Sequence, residues 1–290
     1  MRFALLLSLL PTLLVAQPDR AALAEGMRLL QANAPAKAEA QFAKAIALNP
    51  TVGEYHLRLG QAVGAQTATA STVRQPFLAR RVKASFEEAI ALDPSLVEAR
   101  EGLILFYSIA PGVMGGSEEK AREQQRALLK LNPMRGQMAA ATLAARQRDT
   151  TGVERALRAA IAAAPDSAAP VVQLAQRQAG WGRTAAAFAT LDAFLTRHPT
   201  DRAARIQYGR IAGTSGQQLT KGERYLREVL AGPTWSAGIG VPSRAQVQYR
   251  LGMILEQSGR VAEARAAYQQ AVAADPALKA AREALDKLKG

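Results

Sequence analysis

The chain has 290 residues, 49% hydrophobic but only 5% aromatic, with a formal charge of +13 and no cysteine. Disulfides, thiol nucleophiles and cysteine-held metals are thereby excluded, and His56 and His198 are the whole imidazole supply. The basic balance admits acidic partners, anionic membrane surfaces or nucleic acid, or reflects nothing beyond an Arg-rich composition.

At the N-terminus, Arg2 precedes an apolar run from Phe3 to Ala16 in which Ser8 and Thr12 are the only polar residues. The run is too short to span a bilayer and has the form of a secretory signal. It predicts export, with cleavage after Ala16, Gln17 as the new end and a periplasmic location in a Gram-negative host. With Arg2 removed, the mature charge is +12, one less than the full +13.

From Asp19, expected as an N-cap, a first helix carries Ala22, Gly26, Leu29 and Leu30. A turn at Asn33 to Pro35 then leads into a helix with Ala38, Phe42, Ala45 and a terminal Pro50. Steps of four, three and five place two small residues and an aromatic on one helix face, and the proline ends the helix. The same steps return at Ala264, Tyr268, Ala271 and Pro276. Between them lie His56, Leu59 and Gly60 with Val82, Phe86, Ala89 and Pro94, then Ala99, Leu103 and Tyr107 with Ala121, Leu128 and Pro133. Leu143 with Val153, Leu157, Ala160 and Pro165 forms a fourth unit. Val171, Leu174 and Ala175 with Ala187, Leu191, Phe194 and Pro199 form a fifth. Tyr208 and Gly209 with Gly222, Leu226 and Val229 form a sixth, and Leu251 and Gly252 open the seventh. Such a unit cannot bury its apolar face alone and must stack on its neighbours.

This frame resembles the tetratricopeptide repeat family, whose first helix carries a bulky residue, Leu-Gly and Tyr and whose second carries Ala, an aromatic, Ala and Pro. The resemblance implies an all-α, right-handed superhelical solenoid of about seven antiparallel helix pairs over residues 17–276. Residues 277–290, with Ala280, Leu285 and Leu288 among Lys279, Arg282, Glu283, Asp286, Lys287 and Lys289, read as a C-terminal capping helix. Pro165 and Pro199 are 34 residues apart, the family's unit length, but Pro50 to Pro94 is 44 and Pro94 to Pro133 is 39. Extra residues fall at 64–77, 110–117 and 231–243, which either serve a binding face or mark where added length does least harm.

Chemistry is sparsely provided. The two histidines fall in different repeats, which predicts no shared metal; Ser215 lacks a nucleophile elbow; and the doublets Glu87-Glu88 and Glu118-Glu119 do not face one another on a helix. Two acids in the first turn after Gly115-Gly116-Ser117 argue against a phosphate cradle and make Ser117 an N-cap. The basic cluster Arg74, Arg80, Arg81 and Lys83 has only Phe77 near it as a stacking aromatic, so nucleic acid is not expected. The reading is therefore a non-enzymatic interaction module without cofactor or metal, whose groove of first-helix side chains binds a peptide or protein segment. An alternative is a structural or assembly subunit of a bacterial envelope complex.

At groove positions implied by the resemblance stand Leu23 and Met27, Leu57 and Gln61, Val172 and Gln176, Ile206 and Arg210, and Tyr249 and Met253. The family's Lys-Asn carboxylate clamp is missing. An apolar segment with an acidic end is expected instead, near Gln207, Arg210, Gln246, Tyr249 and Arg250.

Overall fold

The computed structural model describes residues 17–235 and 241–288, so the expected signal at 1–16 lies outside the described residues. The described chain is helical, in two compact units that meet between Asn132 and Pro133.

The first unit holds three helix pairs, α1 (Pro18–Gln31) with α2 (Pro35–Leu48), α3 (Gly53–Thr67) with α4 (Gln75–Leu92), and α5 (Val97–Ile109) with α6 (Glu118–Leu131). The second holds α7 (Pro133–Arg146) with α8 (Thr150–Ala163), α9 (Ala168–Gly180) with α10 (Thr184–Arg197), α11 (Arg202–Ser215) with α12 (Leu219–Ala231), and α13 (Arg244–Gln257) with α14 (Val261–Ala274). A last helix, α15 (Lys279–Lys287), packs on α14 through buried Ala281. The seven pairs and the terminal helix are those expected from the repeat frame.

The frame residues form the core. Phe42, Phe86, Leu128, Leu157, Leu191, Leu226 and Tyr268 are all buried on second helices, as are Ala38, Ala45, Ala264 and Ala271. Phe86 shows how the pairs interlock. A Cβ built on Gly60 of its own pair would lie 2.7 Å from the ring, and one on Gly102 of the next pair 2.4 Å. The ring therefore occupies space that only hydrogen atoms at those two positions leave open.

Turns follow local polar chemistry. Ser117 Oγ accepts from the Lys120 amide at 3.3 Å, the N-cap expected there, and Asp201 Oδ1 caps α11 by accepting from the Ala204 amide at 2.8 Å. Asp166 does not cap α9; its carboxylate lies 3.1 Å from His198 Nε2. Asp19 is not the first N-cap either. Pro18, with φ preset for a helix start, opens α1 after Gln17, and Asp19 in the first turn accepts from the Tyr55 hydroxyl at 2.8 Å.

The extra residues are built differently at each place. The first is partly absorbed by α4, the longest helix among those described, of 18 residues. The second forms a 3-10 turn, Gly112–Met114, closed by Gly116 and Ser117 amides donating to the Pro111 and Tyr107 carbonyls at 3.1 and 2.9 Å. In the third, Trp235 Nε1 donates to the Pro242 carbonyl at 2.9 Å and its ring lies under the Arg202 guanidinium at 4.6 Å.

Candidate functional site

Within the second unit the first helices α9, α11 and α13 pack directly on one another in sequence, as well as each on its own second helix. Gly213 sets the α11–α13 approach. A Cβ there would meet Met253 Cβ at 3.1 Å and the Arg250 carbonyl at 3.5 Å. One helical turn before each contact point stand Arg210 on α11 and Arg250 on α13, which this approach brings together.

Both guanidiniums are partly buried rather than splayed into water. Burial pushes Arg250 down to about 10, and the positive charge of Arg210 pushes the same way. Burial also lowers Arg210. No acidic group offsets either effect, and among the described residues neither side chain has an ion-pair partner. Arg210 Nε donates to Gln207 Oε1 at 3.0 Å, which fixes the plane of the Arg210 fork. Gln207 is 95% buried, being 5% exposed, and its Nε2 has no partner. At the equivalent register on α9, Gln173 Oε1 is likewise buried without a partner.

The remaining expected site residues do different work. Gln246 belongs to a capping box: its Oε1 accepts from the Ser243 amide at 3.0 Å while Ser243 Oγ accepts from the Gln246 amide at 3.2 Å. It starts α13, with its side chain engaged by the cap, one helical turn before Arg250. Tyr249 lies against the Tyr268 ring, centroids 5.7 Å apart, and burial raises its phenol. Gln207 is a buried support for Arg210 rather than a surface contact. Of the groove positions named from the frame, Leu57 and Ile206 are core residues, 1% and 2% exposed. One residue's difference in register turns a helix by about 100 degrees and moves a side chain from groove to core. The Arg210–Arg250 proximity depends on the α11–α13 contact at Gly213, which neither helix's own pattern carries.

Charge is unevenly divided. Residues 17–132 contain 14 Lys and Arg against 12 Asp and Glu, whereas residues 133–290 contain 22 against 12, a surplus of ten. Some cations of the second unit share acids: Glu223 pairs with Arg227 at 2.8 Å and Arg260 at 2.7 Å, and Glu154 with Arg158 at 2.8 Å and Arg183 at 2.7 Å. Among the described residues no cluster of three or more His, Asp or Glu could hold a metal ion, and no helix is long and apolar enough to cross a membrane.

Residues 215–279 match the family described as tetratricopeptide repeat. The chain has the fold of tetratricopeptide repeat proteins. Residues 60–187 match a second family, described as TRAP transporter T-component. No curated protein sequence matches. Among solved structures, a tetratricopeptide repeat protein from Parabacteroides merdae superposes with a TM-score of 0.55 at 14% identity, over 94% of this chain and all of that one. Yeast Tom70 does so with a TM-score of 0.66 at 14% identity, over 99% of this chain and 59% of Tom70. Human IFIT1, solved as a dimer with PPP-AAAA, gives 0.58 at 17% identity over 93% of this chain and 63% of IFIT1. This chain thus spans about three fifths of the length of the latter two, and at these identities the likeness is one of fold.

Proposed function

We propose that this chain is an exported, non-enzymatic interaction module that serves a TRAP transporter and holds an acidic protein segment on the first-helix face of α11 and α13. The observation that carries the reading is the Arg210–Arg250 pair, two partly buried cations without an acidic partner on the most basic unit of the chain. A partner carboxylate there would relieve both desolvated charges at once, whereas exposed arginines elsewhere are hydrated or share glutamates. Tyr249 and Met253 supply apolar contact beside the pair. The match of residues 60–187 to a TRAP transporter T-component supports work at the bacterial envelope, and the Arg2 to Ala16 segment supports export.

The same match favours a second reading, a permanent structural subunit of the transporter assembly. Affinity capture from periplasm, followed by size-exclusion of the native complex, separates the two: a permanent subunit co-migrates with its partners and a transient receptor runs mostly alone. Arg210→Glu with Arg250→Glu should weaken binding of the captured partner at least tenfold, about 1.4 kcal/mol or more, with helix content unchanged. Unaltered affinity in a normally folded double variant overturns the assignment of this face. Mature protein should begin at or near Gln17; an intact Met1 on cytoplasmic protein overturns export.

A further inference from the structure

We infer that one end of the first unit docks on the surface of an anionic lipid bilayer, with Val73, Phe77 and Val113 entering the interface and Lys37, Arg74 and Arg80 meeting headgroup phosphates. This end is separate from the α11–α13 face and is built from two of the insertions. α4 returns to α5 through only four residues, 93–96, so α3 and α5 run the same way and the insertions at 64–77 and 110–117 fall at one end. They also meet there: Gly112–Met114 packs on α4, and a Cβ on Gly115 would lie 3.7 Å from Lys83 Nζ. Phe77 and Arg80, one turn apart, share an exposed face of the same helix.

What projects at this end is apolar and cationic at once. Val113 is 94% exposed, Val73 77% and Phe77 64%. The Val113 loop is closed by its own backbone hydrogen bonds, yet a Cβ on Gly112 would meet nothing within 4 Å. A projecting tip with open space around it has no wall with which to recognise a protein side chain, whereas a bilayer accepts any apolar group that reaches it. Charge selects the kind of bilayer. Residues 55–86 hold five Arg and Lys and no acid, and residues 102–117 hold no charge at all. Glu39, which feels the Arg74 charge, is already bonded to Arg81 and Gln66. Among the described residues Lys37, Arg74 and Arg80 have no ion-pair partner. Lys37 and Arg74 line a cavity of about 350 Å³ at this end, with Ala34, Gln66 and Ala70 and no acid. Beyond the loop, Glu118 and Glu119 are balanced by Lys120 and Arg122.

Vesicle flotation tests this on the chain from Gln17 onward, which lacks the apolar Phe3 to Ala16 run. It should bind vesicles of phosphatidylethanolamine with phosphatidylglycerol and not vesicles of phosphatidylcholine. Each basic residue at such a surface is worth about fivefold in partition, so Arg74→Glu with Arg80→Glu should lower binding about twentyfold or more. Arg177→Glu with Arg282→Glu makes the same change of net charge at exposed sites of the second unit and should lower binding far less. Phe77→Ser and Val113→Ser should each lower it about tenfold, with helix content unchanged, since neither side chain is in the core. The chain has no cysteine, so an environment-sensitive fluorophore on Val113→Cys reports from that site alone. Its emission should shift to the blue on the anionic vesicles. The same label on Leu131→Cys, exposed at the opposite end of α6, should not shift.

Equal losses from the two arginine pairs, or a blue shift at both labels, would make the binding nonspecific and overturn the inference. Full binding to phosphatidylcholine, or none to either vesicle, overturns it as well. Self-association removed by Val113→Ser, or a captured periplasmic protein lost with these variants, in each case without vesicle binding, would reassign this end to a protein contact. Arg210→Glu with Arg250→Glu should change vesicle binding no more than the Arg177 and Arg282 pair does, so this end and the α11–α13 face fail separately.

Discussion

Replacing Gly102 with alanine sets two effects of similar size against each other. Helix propensity favours alanine over glycine by about 0.8–1 kcal/mol in a helix interior, so a position with free space would be stabilised. Gly102 has no such space, because its Cβ would stand 2.4 Å from Phe86 Cε2. The ring cannot retreat, since Gly60 grips its other edge with a prospective Cβ distance of 2.7 Å. Forcing one extra carbon into a closed site costs about 1–3 kcal/mol, so Gly102→Ala should destabilise by roughly 1–2 kcal/mol after the propensity gain. Equilibrium urea unfolding followed by far-ultraviolet circular dichroism reads this as a lower midpoint. Phe86→Leu should relieve the clash, so the double variant loses less than the sum of the singles by about 1 kcal/mol, the size expected for residues in direct contact. A raised midpoint in Gly102→Ala, or additive losses in the double variant, would refute the interlocking of adjacent pairs through Phe86.

Gly116→Ala would put a Cβ 1.8 Å from the Ala110 carbonyl oxygen, a backbone atom that cannot swing away. The loop should reorganise, at a cost of about 1–3 kcal/mol, with faster hydrogen exchange at the Ser117 amide; unchanged exchange would show the loop to be looser than described. Alkaline stability should be set by buried phenols. Burial, then hydrogen bonds to Glu87 and Glu256, raise Tyr107 and Tyr268. The unfolded chain loses these protons near pH 10 and the folded chain keeps them, so their stabilisation is complete below about pH 10 and is lost as pH rises further. Full phenolate absorbance should therefore appear only with loss of helix. Tyr268→Phe, which removes the 2.6 Å bond to Glu256, should cost about 1–2 kcal/mol at neutral pH and shallow the alkaline decline. Complete phenolate titration of a fully helical chain would contradict this.

The fold was legible because its repeat frame is written in sizes. Small, aromatic, small, proline at steps of four, three and five can mean only one buried face per second helix, and Phe42, Phe86 and Tyr268 lie where that pattern puts them. The boundary between the two units was not legible, since Pro133 looks like every other terminal proline and nothing local distinguishes it. The site was legible only in part. Arg210 and Arg250 were named from the repeat register, but their mutual approach depends on the close α11–α13 contact at Gly213, a pairwise property that single-helix patterns do not encode. Gln246 carries a second signal, because Ser243 with a Gln three residues on also spells a capping box, and that box engages its side chain. Leu57 and Ile206 went to the core because first helices in a stack bury two faces, one against the partner helix and one against the next first helix.

The surplus of ten positive charges on residues 133–290 acquires meaning from where it is stored. An unpaired arginine at the surface costs almost nothing, because water and salt neutralise it within a Debye length. The shared glutamates follow this logic, with Glu223 and Glu154 each taking two arginines on exposed faces. Arg250 departs from it, since it is withdrawn from water, placed beside a like charge and given no acid. Such a placement costs about 1–3 kcal/mol, and a chain free to vary there would lose nothing in its frame by substituting glutamine. The two kinds of cation differ in what they respond to. Exposed networks weaken with ionic strength whatever the ion, whereas a partly buried pair responds to the shape and hydrogen-bonding capacity of the anion that can enter it. Anion identity at fixed ionic strength also shifts stability through exclusion from the whole surface, so only the part of the response that is lost in Arg250→Gln belongs to Arg210 and Arg250.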